Sequence, residues 1–246
     1  MRLARKTAIV TGGGSGFGEG IVKKFFEEGA IVIVADIDGD AAKRVADLYG
    51  GMAFQMDVSK MEDWKALAKQ VKDTFDGVDI LVNNAGITHL PQPMEEVSEE
   101  DFDKVMAVNA KSVFLSAKTI VPMMIEDSSG VILNVASTAG VSPRPNLNWY
   151  NASKGWMITA TKTMAVELAP KGIRVNAINP VAGETPLLQS FMGKDTPEIR
   201  AKFISTIPLG RFSTPEDMAN AACFLCSDEA SMITGVAMEV DGGRCI

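Results

Sequence analysis

The strongest constraint on the fold of this chain is a repeated alternation of short apolar runs with amphipathic helical patterns. The runs are rich in Ile and Val and apolar on both faces, as expected for strands of a parallel sheet that is covered on both sides. The helical patterns between them, such as Asp38–Tyr49 and Lys60–Phe75, predict βαβ units with right-handed crossovers. The predicted strands are Thr7–Val10, Ile31–Ala35, Ile80–Asn83, Val131–Ser137 and Arg174–Asn179, with Met52–Gln55 and Val236–Val240 as weaker candidates.

The length and the lack of an internal linker indicate a single domain. No Pro/Gly/Ser-rich stretch, charge block or repeat divides the 246 residues, and that length suits one large α/β domain. We therefore predict a single Rossmann-type domain over residues 1–246, with a doubly wound parallel sheet of about seven strands and helices on both faces. In such a sheet the ligand site lies at the carboxyl ends of the strands, and residues 185–210 are expected to form a substrate lid over it.

Composition and charge disfavour several classes of partner. The net charge of −7 argues against nucleic acid or an acidic membrane surface, and no apolar run approaches the roughly 18 residues of a membrane span. Three cysteines form no disulfide framework, which favours the cytoplasm. Cys223 and Cys226 have the spacing of a redox pair or half a zinc site, but only His89 and Cys245 remain as further His or Cys ligands. Packing of both thiols in a helix is the favoured interpretation, and no metal is predicted.

A glycine-rich turn follows the first predicted strand. Gly12, Gly16 and Gly18 have the spacing Gly-x-x-x-Gly-x-Gly rather than the Gly-x-Gly-x-x-Gly of the common dinucleotide fingerprint. Glycines between a strand and a helix allow backbone N–H groups to approach a phosphate at the helix N-terminus. A glycine-rich turn is often only a turn, so its meaning depends on the residues that follow.

Asp36 ends the second predicted strand, close to the position expected for a ribose-binding acid. An acid about 20 residues after the glycines binds the ribose 2′-hydroxyl in the adenosine half of NAD. A carboxylate there would repel the 2′-phosphate of NADP, and neither Ser15 nor Ile37 is a base that would offset the repulsion. The alternative role is capping of the next helix, which Asp38 could take instead. The pattern predicts NAD as the cofactor.

Tyr150 and Lys154 are four residues apart and share one face of a predicted helix. A free tyrosine has a pKa near ~10 and is a poor base at neutral pH. A neighbouring ammonium group favours the phenolate and can lower that pKa by about 1–3 units, which makes Tyr150 a candidate general acid and base. Such a pair is common by chance, and its interpretation rests on the other motifs around it, including Asn83 and Ser137 at two predicted strand ends.

Together these motifs resemble those of the short-chain dehydrogenase/reductase family, in its 3-oxoacyl-carrier-protein reductase-like and glucose-dehydrogenase-like branch. The resemblance covers essentially the whole chain, and the motifs occur in the family's order and spacing. The matching residues are Thr11-Gly12-x-x-x-Gly16-x-Gly18, Asp57-Val58, Asn83-Asn84-Ala85-Gly86, Asn109, Ser137, Tyr150-x-x-x-Lys154, Asn176, Asn179-Pro180 and Asp241-Gly242-Gly243.

The resemblance implies a catalytic set of Asn109, Ser137, Tyr150 and Lys154. Tyr150 would pass the proton, and Ser137 would hydrogen-bond the substrate oxygen. Lys154 would bind the nicotinamide ribose and lower the pKa of Tyr150, and Asn109 would hold a water that links Lys154 to solvent. The implied cofactor-binding residues are Gly12, Ser15, Gly16, Phe17, Gly18, Asp36, Ile37, Asp57, Val58, Asn83, Ala85, Gly86, Tyr150, Lys154, Pro180 and Thr185.

One loop departs from the family's pattern. The usual Pro-Gly-x-x-x-Thr reads Pro180-Val181-Ala182-Gly183-Glu184-Thr185 in this chain. Glycine permits backbone angles that valine resists. We therefore expect the loop to run differently, and the implied contact of Thr185 with the nicotinamide carboxamide depends on that path.

The predicted function is NAD-dependent hydride transfer between the nicotinamide and a small secondary alcohol or ketone. Two alternatives remain: reduction of 3-oxoacyl thioesters on a carrier protein, and a non-catalytic NAD-binding or redox-sensing role. The sequence does not identify the substrate, and His89, Arg144, Asn146 and Asn148 are open candidates for contacts with it.

The resemblance also implies an oligomeric state. Family members of this size usually pair through two long helices, here Asp101–Met123 and Trp149–Ala169, so a homotetramer is expected.

Overall fold

The computed structural model describes residues 1–246, and its centre is a parallel β-sheet of seven strands. Numbered along the chain, the strands are β1 (Thr7–Thr11), β2 (Ile31–Asp36), β3 (Met52–Gln55), β4 (Ile80–Asn83), β5 (Gly130–Val135), β6 (Ile173–Pro180) and β7 (Ala237–Val240). Their order across the sheet is β3-β2-β1-β4-β5-β6-β7. The order reverses direction between β1 and β4, which is where a doubly wound sheet opens a ligand crevice at its carboxyl edge.

Nine α-helices connect the strands and cover the sheet. Four of them begin at a residue whose side chain caps free N–H groups of the first turn: Asp38, Ser98, Thr196 and Thr214. The nine helices are α1 (Gly16–Glu27), α2 (Gly39–Tyr49), α3 (Met61–Thr74), α4 (Glu99–Met106), α5 (Ser112–Glu126), α6 (Asn148–Leu168), α7 (Leu188–Met192), α8 (Pro197–Ile204) and α9 (Pro215–Cys226).

Alternate strand residues face two separate cores, one on each side of the sheet. Ala8 and Val10 of β1 pack in the core that α1, α2 and α9 cover. Ile9 lies in the core that α3, α5 and α6 cover. All five residues of β1 are buried, so this interior strand is covered on both faces, as the sequence pattern predicts. The predicted fold class, a doubly wound Rossmann-type sheet of seven parallel strands, is confirmed.

Two element boundaries differ from the sequence prediction for local reasons. β5 ends at Val135 rather than Ser137, because the Ser137 side chain accepts a hydrogen bond from the Ala139 amide at 3.0 Å and begins a 3₁₀ turn. The predicted helix 101–123 is helical from residue 99 to residue 126, with a π-helical turn at Ala107–Lys111 between α4 and α5. A π turn inside a helix is often found at a functional site.

The cysteine pair lies in the interior of the protein. Cys223 and Cys226 of α9 are buried in the core beneath α1, and all three cysteines are free. Burial raises the pKa of the Cys226 thiol, which disfavours the reactive thiolate. No helix combines the length and the apolar character needed to cross a membrane.

Candidate active site

The glycine-rich turn between β1 and α1 lies at the carboxyl edge of the sheet. Gly12 and Gly16 have φ values of 62° and 55°, a left-handed conformation that side chains disfavour. A Cβ atom on Gly18 would collide with the carbonyl oxygen of Gly12. The turn therefore needs all three glycines, two for their backbone angles and one for the close approach of α1.

Asn84 and Thr11 hold this turn against the end of β4. The Asn84 side chain donates to the carbonyl oxygens of Thr11 and Gly12 at 2.8 and 3.1 Å. The Thr11 hydroxyl donates to Val82 and accepts from the amides of Asn84 and Ala85. These bonds join the two strands on either side of the crevice, so the shape of the turn is set by β4 as well as by its own sequence.

The two acids after β2 have separate tasks. Asp38 caps α2, because its carboxylate accepts hydrogen bonds from the amides of Asp40 and Ala41, both at 3.0 Å. Asp36 accepts from the amides of Gly14 and Asp38 at 2.9 and 3.0 Å and lines the adjoining cleft. Helix capping therefore does not occupy Asp36.

A cleft of about 430 Å³ runs along the carboxyl edge of the sheet. It brings together most of the residues that the sequence singles out, and we call it the main cleft. Asn83 and Asn109 do not line it. Those that do are Gly12, Ser15, Gly16, Phe17, Gly18, Asp36, Ile37, Asp57, Val58, Ala85, Gly86, Ser137, Tyr150, Lys154, Pro180 and Thr185.

The side chain of Asn83 points into the protein. It donates to the Asn134 side chain at 2.9 Å, and Asn134 in turn donates to Thr161 at 2.9 Å. This buried chain of hydrogen bonds links β4, β5 and α6. The neighbouring Asn84 faces the main cleft, so within the Asn-Asn-Ala-Gly motif the first asparagine is internal and the second is at the site.

Tyr150 and Lys154 lie on the buried face of α6, at the end of the main cleft opposite Asp36. Their side chains are only 5% and 4% exposed. The Lys154 ammonium nitrogen donates to the Val135 carbonyl at 2.8 Å and lies 6.0 Å from the centre of the Tyr150 ring. The Phe191 ring of α7 packs edge-on against Tyr150, with ring centres 5.0 Å apart.

Burial dominates the pKa values of this pair. It raises the pKa of Tyr150 to about 12, and the nearby Ser137 hydroxyl and Arg144 guanidinium only partly oppose it. Burial also lowers the pKa of Lys154 to about 8. The expectation that Lys154 would bring the pKa of Tyr150 below its usual value is wrong for the protein alone, because loss of solvation of the phenolate outweighs the nearby charges.

Asn109 occupies the π-helical turn and is completely buried. Its side chain accepts from the Ile87 amide and donates to the Ile87 carbonyl, both at 2.9 Å. It also donates to Ser153 at 3.0 Å, one residue from Lys154. The geometry gives Asn109 a positioning role, since it fixes the backbone after β4 relative to α6.

The Pro180–Thr185 loop keeps Thr185 at the site in spite of Val181. Val181 has no left-handed φ value and is buried with Leu188 and Met192. A Cβ on Gly16 would lie 3.2 Å from the Thr185 side chain, so this threonine borders the glycine-rich turn. Glycine is instead required at Gly183, where a Cβ would meet the Phe17 ring.

The four residues left open as candidates for substrate contact differ in whether they line the main cleft. Arg144 lines the main cleft, whereas His89, Asn146 and Asn148 do not. His89 is buried, with its Nδ1 atom 2.8 Å from the Leu90 carbonyl. Sequence reasoning did not assign several lining residues to the site because most are apolar and belong to no functional motif; they are Met56, Ile87, Val108, Val135, Ala136, Thr138 and Ala139.

Comparison with known proteins places this geometry in a family. A family model described as enoyl-(acyl carrier protein) reductase matches residues 12–244. The 4-formylbenzenesulfonate dehydrogenase of Comamonas testosteroni is 48% identical over 100% of both chains. A crystal structure of a 3-ketoacyl-(acyl-carrier-protein) reductase from Brucella melitensis complexed with NADH is 51% identical, with a TM-score of 0.94, and the match covers 99% of this chain and 100% of that one. The chain belongs to the short-chain dehydrogenase/reductase family.

The family resemblance read from the motifs is thereby confirmed, and the chain is an oxidoreductase acting on CH–OH groups and the corresponding carbonyls. A third relative, the 3-oxoacyl-[acyl-carrier-protein] reductase of Thermotoga maritima, is 39% identical over 100% of both chains. The named substrates differ among these relatives while the fold is retained. Membership therefore fixes the type of reaction and leaves the substrate to be argued from the cleft.

The raised pKa of Tyr150 can be measured because the chain contains only two tyrosines. In a Tyr49→Phe variant, the near-ultraviolet absorbance of phenolate reports Tyr150 alone. With a pKa of about 12, roughly 1% of Tyr150 should be ionised at pH 10 in the protein titrated without cofactor, compared with about half of a free tyrosine. A half-ionised Tyr150 at pH 10, with circular dichroism showing an intact fold, would contradict this expectation; a variant that also carries Tyr150→Phe gives the baseline.

Proposed function

We propose that this oxidoreductase uses NAD(H) to interconvert a secondary alcohol and a ketone, with Tyr150 as the residue that transfers the proton. The observation that carries the proposal is that one cleft is lined by Ser137, Tyr150 and Lys154, which follow β5, and by Asp36 at the end of β2, three strand positions away across the sheet. The Brucella relative, named as a complex with NADH, supports the choice of cofactor.

The residues of the main cleft fit a dinucleotide. The left-handed glycines of the β1–α1 turn leave room for a pyrophosphate beside the N-terminus of α1. A Cβ on Gly86 would lie 3.2 Å from the Lys154 nitrogen, so the absence of a side chain there leaves space for the ammonium group. Asp57 and Val58 would contact adenine, and Ala85, Pro180 and Thr185 would border the nicotinamide half.

The adenosine end of the main cleft favours NAD over NADP. Asp36 presents a carboxylate where the 2′-phosphate of NADP would lie, and the two negative charges would repel. Arg44 is near this loop, but its guanidinium is held by both carboxylate oxygens of Glu19, each at 2.9 Å, and by the Gly14 carbonyl at 2.8 Å. Arg44 is thus engaged elsewhere and does not line the cleft.

Bound NAD would supply the hydride acceptor for alcohol oxidation, and NADH the donor for ketone reduction. The protein supplies the proton path and the charge compensation. Tyr150 takes the hydroxyl proton of the alcohol, and Ser137 donates to the substrate oxygen as its negative charge develops. Lys154 binds the ribose hydroxyls and holds a positive charge near the phenolate. Asn109 keeps the Ile87 backbone and Ser153 in register and, through water, connects Lys154 with solvent.

The alternatives have less support. A 3-oxoacyl thioester reductase is favoured by the names of two relatives, one of them complexed with NADH, but it would need a basic surface for an acidic carrier protein. The net charge of −7 argues against such a surface. A non-catalytic redox sensor would not need the complete set of Asn109, Ser137, Tyr150 and Lys154.

Replacing Tyr150 by Phe tests the proposed role directly. Tyr150→Phe removes the proton donor and acceptor but preserves the ring that packs against Phe191. We expect turnover to fall by about 10³-fold or more, in the upper range for loss of general acid–base catalysis, while the Kd for NADH changes little. Tyr49→Phe is the matched control and should retain full activity. A Tyr150→Phe enzyme with most of its activity would exclude the proposed role.

A pair of acid substitutions tests the cofactor preference. Asp36→Ala should lower the NAD/NADP ratio of kcat/KM by about tenfold or more, because it removes both the ribose hydrogen bond and the repulsion of the 2′-phosphate. Asp38→Ala removes only the cap of α2; it should cost about 1 kcal/mol of stability and leave the ratio unchanged. A wild-type enzyme that prefers NADP by tenfold would refute the assignment of Asp36.

We further propose a cytosolic homotetramer in which residues 185–210 close over the substrate. Support for assembly comes from apolar side chains on the outer faces of α5 and α6, where Phe114, Trp156 and Val166 are 55%, 41% and 77% exposed. Such faces favour a partner, and a second two-fold contact near the C-terminal tail would close an assembly of four. The reducing cytosol agrees with the three free thiols.

Light scattering should give a mass about four times the 26.3 kDa of the chain. Phe114→Glu should dissociate the assembly and reduce activity, because α6 carries Tyr150 next to the proposed contact. Leu48→Glu, which adds the same charge at an exposed leucine of α2, should do neither. A fully active monomer of the wild-type protein would contradict the proposal.

A further inference from the structure

Arg144 lies at the substrate end of the main cleft, in the loop of residues 141–147 between the Ser137 turn and α6. The charged residues that line this cleft are Asp36, Asp57, Arg144 and Lys154. The two acids belong to the adenosine end, and Lys154 faces the ribose position. Arg144 is therefore the charge that a substrate would meet beside Tyr150.

The guanidinium of Arg144 has no counter-ion. Arg2, Arg44, Arg200 and Arg211 each form an ion pair with a carboxylate, and Arg174 donates to three backbone carbonyls. Arg144 takes part in neither kind of contact, although it is half-buried. Burial lowers its pKa, as does the charge of Arg244 nearby. An unpaired and partly desolvated cation is costly unless a ligand supplies the negative charge.

The protein nonetheless holds this side chain in a defined position. The guanidinium carbon of Arg144 lies 4.4 Å from the centre of the Phe203 ring of α8, a cation–π contact that occupies none of its N–H donors. The backbone carbonyl of Arg144 accepts from the Asn151 side chain at 2.7 Å. The loop is thus fixed to α6, one residue after Tyr150.

A second arginine adds positive charge to the same region. Arg244 of the C-terminal segment donates to the Ser142 hydroxyl at 3.3 Å. Arg144, Arg244, Ser142, Phe203 and Thr206 border a small side cleft next to the main cleft, and no acid borders it. The side cleft holds only about 10 Å³, so its contribution is two positive charges without a carboxylate beside the larger cleft, in a protein of net charge −7.

The surroundings define the shape of a suitable substrate. Ser137 and Tyr150 present hydroxyl groups for the reacting oxygen, and Leu187, Phe191 and Val181 supply apolar walls. Arg144 faces the same space from the neighbouring loop. A compound with a hydroxyl or carbonyl at one end, an apolar body and a carboxylate or sulfonate at the other complements all three surfaces. Both anions match the planar fork of an arginine.

We propose that the substrate carries an anionic group, a carboxylate or a sulfonate, and that Arg144 binds this group while the reacting oxygen is at Tyr150. The inference rests on the proposed function for the reacting end and adds a specificity-determining residue for the other. Arg244 strengthens the positive field of the side cleft.

A binding experiment tests the proposal without turnover. Benzoate, benzenesulfonate and neutral benzamide are titrated calorimetrically into the wild-type protein with NADH, and the two anions separate carboxylate from sulfonate recognition. At least one anion should bind about tenfold or more tightly than benzamide, as expected for a charge-assisted hydrogen-bonded pair. Arg144→Gln should abolish that difference, and Arg144→Lys should retain part of it.

Arg200→Gln is the matched control, because it removes one positive charge from the same lid helix as Phe203. Arg200 pairs with Asp195 at 2.8 Å and does not line the main cleft, so this variant should preserve the preference for the anion. Equal binding of anions and benzamide by the wild type, or an equal loss in Arg200→Gln and Arg144→Gln, would overturn the proposal.

Kinetics with paired substrates distinguishes substrate recognition from an effect on Tyr150. For secondary alcohols that bear a terminal carboxylate or sulfonate, Arg144→Gln should raise KM by about tenfold or more; for the matching carboxamides it should change KM less than about twofold. Because the Arg144 charge also lowers the pKa of Tyr150, the variant should shift the pH profile for charged and neutral substrates alike; an equal rise in KM for both would show that Arg144 acts only through Tyr150 and would refute the proposal. Failure of the proposed function itself would appear as absence of NAD-dependent turnover for both members of every pair, whereas the calorimetric preference for the anion would persist.

Discussion

The close contact between the start of α1 and the end of β1 is the constraint on which the rest of the site depends. Because a Cβ on Gly18 would strike the Gly12 carbonyl, the helix can begin directly against the strand. Asn84 completes the arrangement by donating to the same carbonyl from the end of β4. The backbone of the β1–α1 turn and the Asn84 side chain thus form the base of the crevice between β1 and β4. The other cleft residues lie around this base.

Loss of solvation dominates the pKa values of the two ionisable residues at the Tyr150 end of the main cleft. Tyr150 and Lys154 are nearly inaccessible to solvent. Burial raises the pKa of Tyr150 and lowers that of Lys154, and both changes favour the neutral form. The phenolate that alcohol oxidation needs is therefore stable only when nearby positive charge outweighs the cost of burial. In the protein alone, Ser137 and Arg144 provide part of that compensation. The Lys154 charge is directed towards the Val135 carbonyl and would act fully only when ribose hydroxyls share it. Under the proposed mechanism, this dependence would couple proton transfer to the binding of the cofactor.

The sequence predicts the strands, the helices and the fold class well because short-range patterns encode them. Runs such as those of β1 and β2 are apolar on both faces, and the glycine, Asp36 and Tyr150–Lys154 spacings fix residues at strand ends and on one helix face. Features that arise from contacts between distant segments could not be read in the same way. The inward turn of Asn83 depends on Asn134, 51 residues later, and the path of Val181 depends on apolar partners in α7. Arg144 has no counter-ion because no segment of the chain brings a carboxylate next to it. The residues that surround Arg144 in the sequence do not reveal this.

The two ends of the main cleft are built from different kinds of structure, and this division bears on how specificity can vary. The cofactor end consists of strand ends and a turn whose backbone cannot change without disturbing the sheet, as the crowding around Gly18 illustrates. The substrate end consists of the 141–147 loop, helices α7 and α8 and the C-terminal segment, which lie outside the sheet. A substitution at Arg144 or Phe203 alters charge or shape there without affecting β1 or β4. Relatives with similar folds can therefore act on chemically different alcohols and carbonyls, and the unpaired charge at Arg144 is the feature of this chain that most narrows the choice.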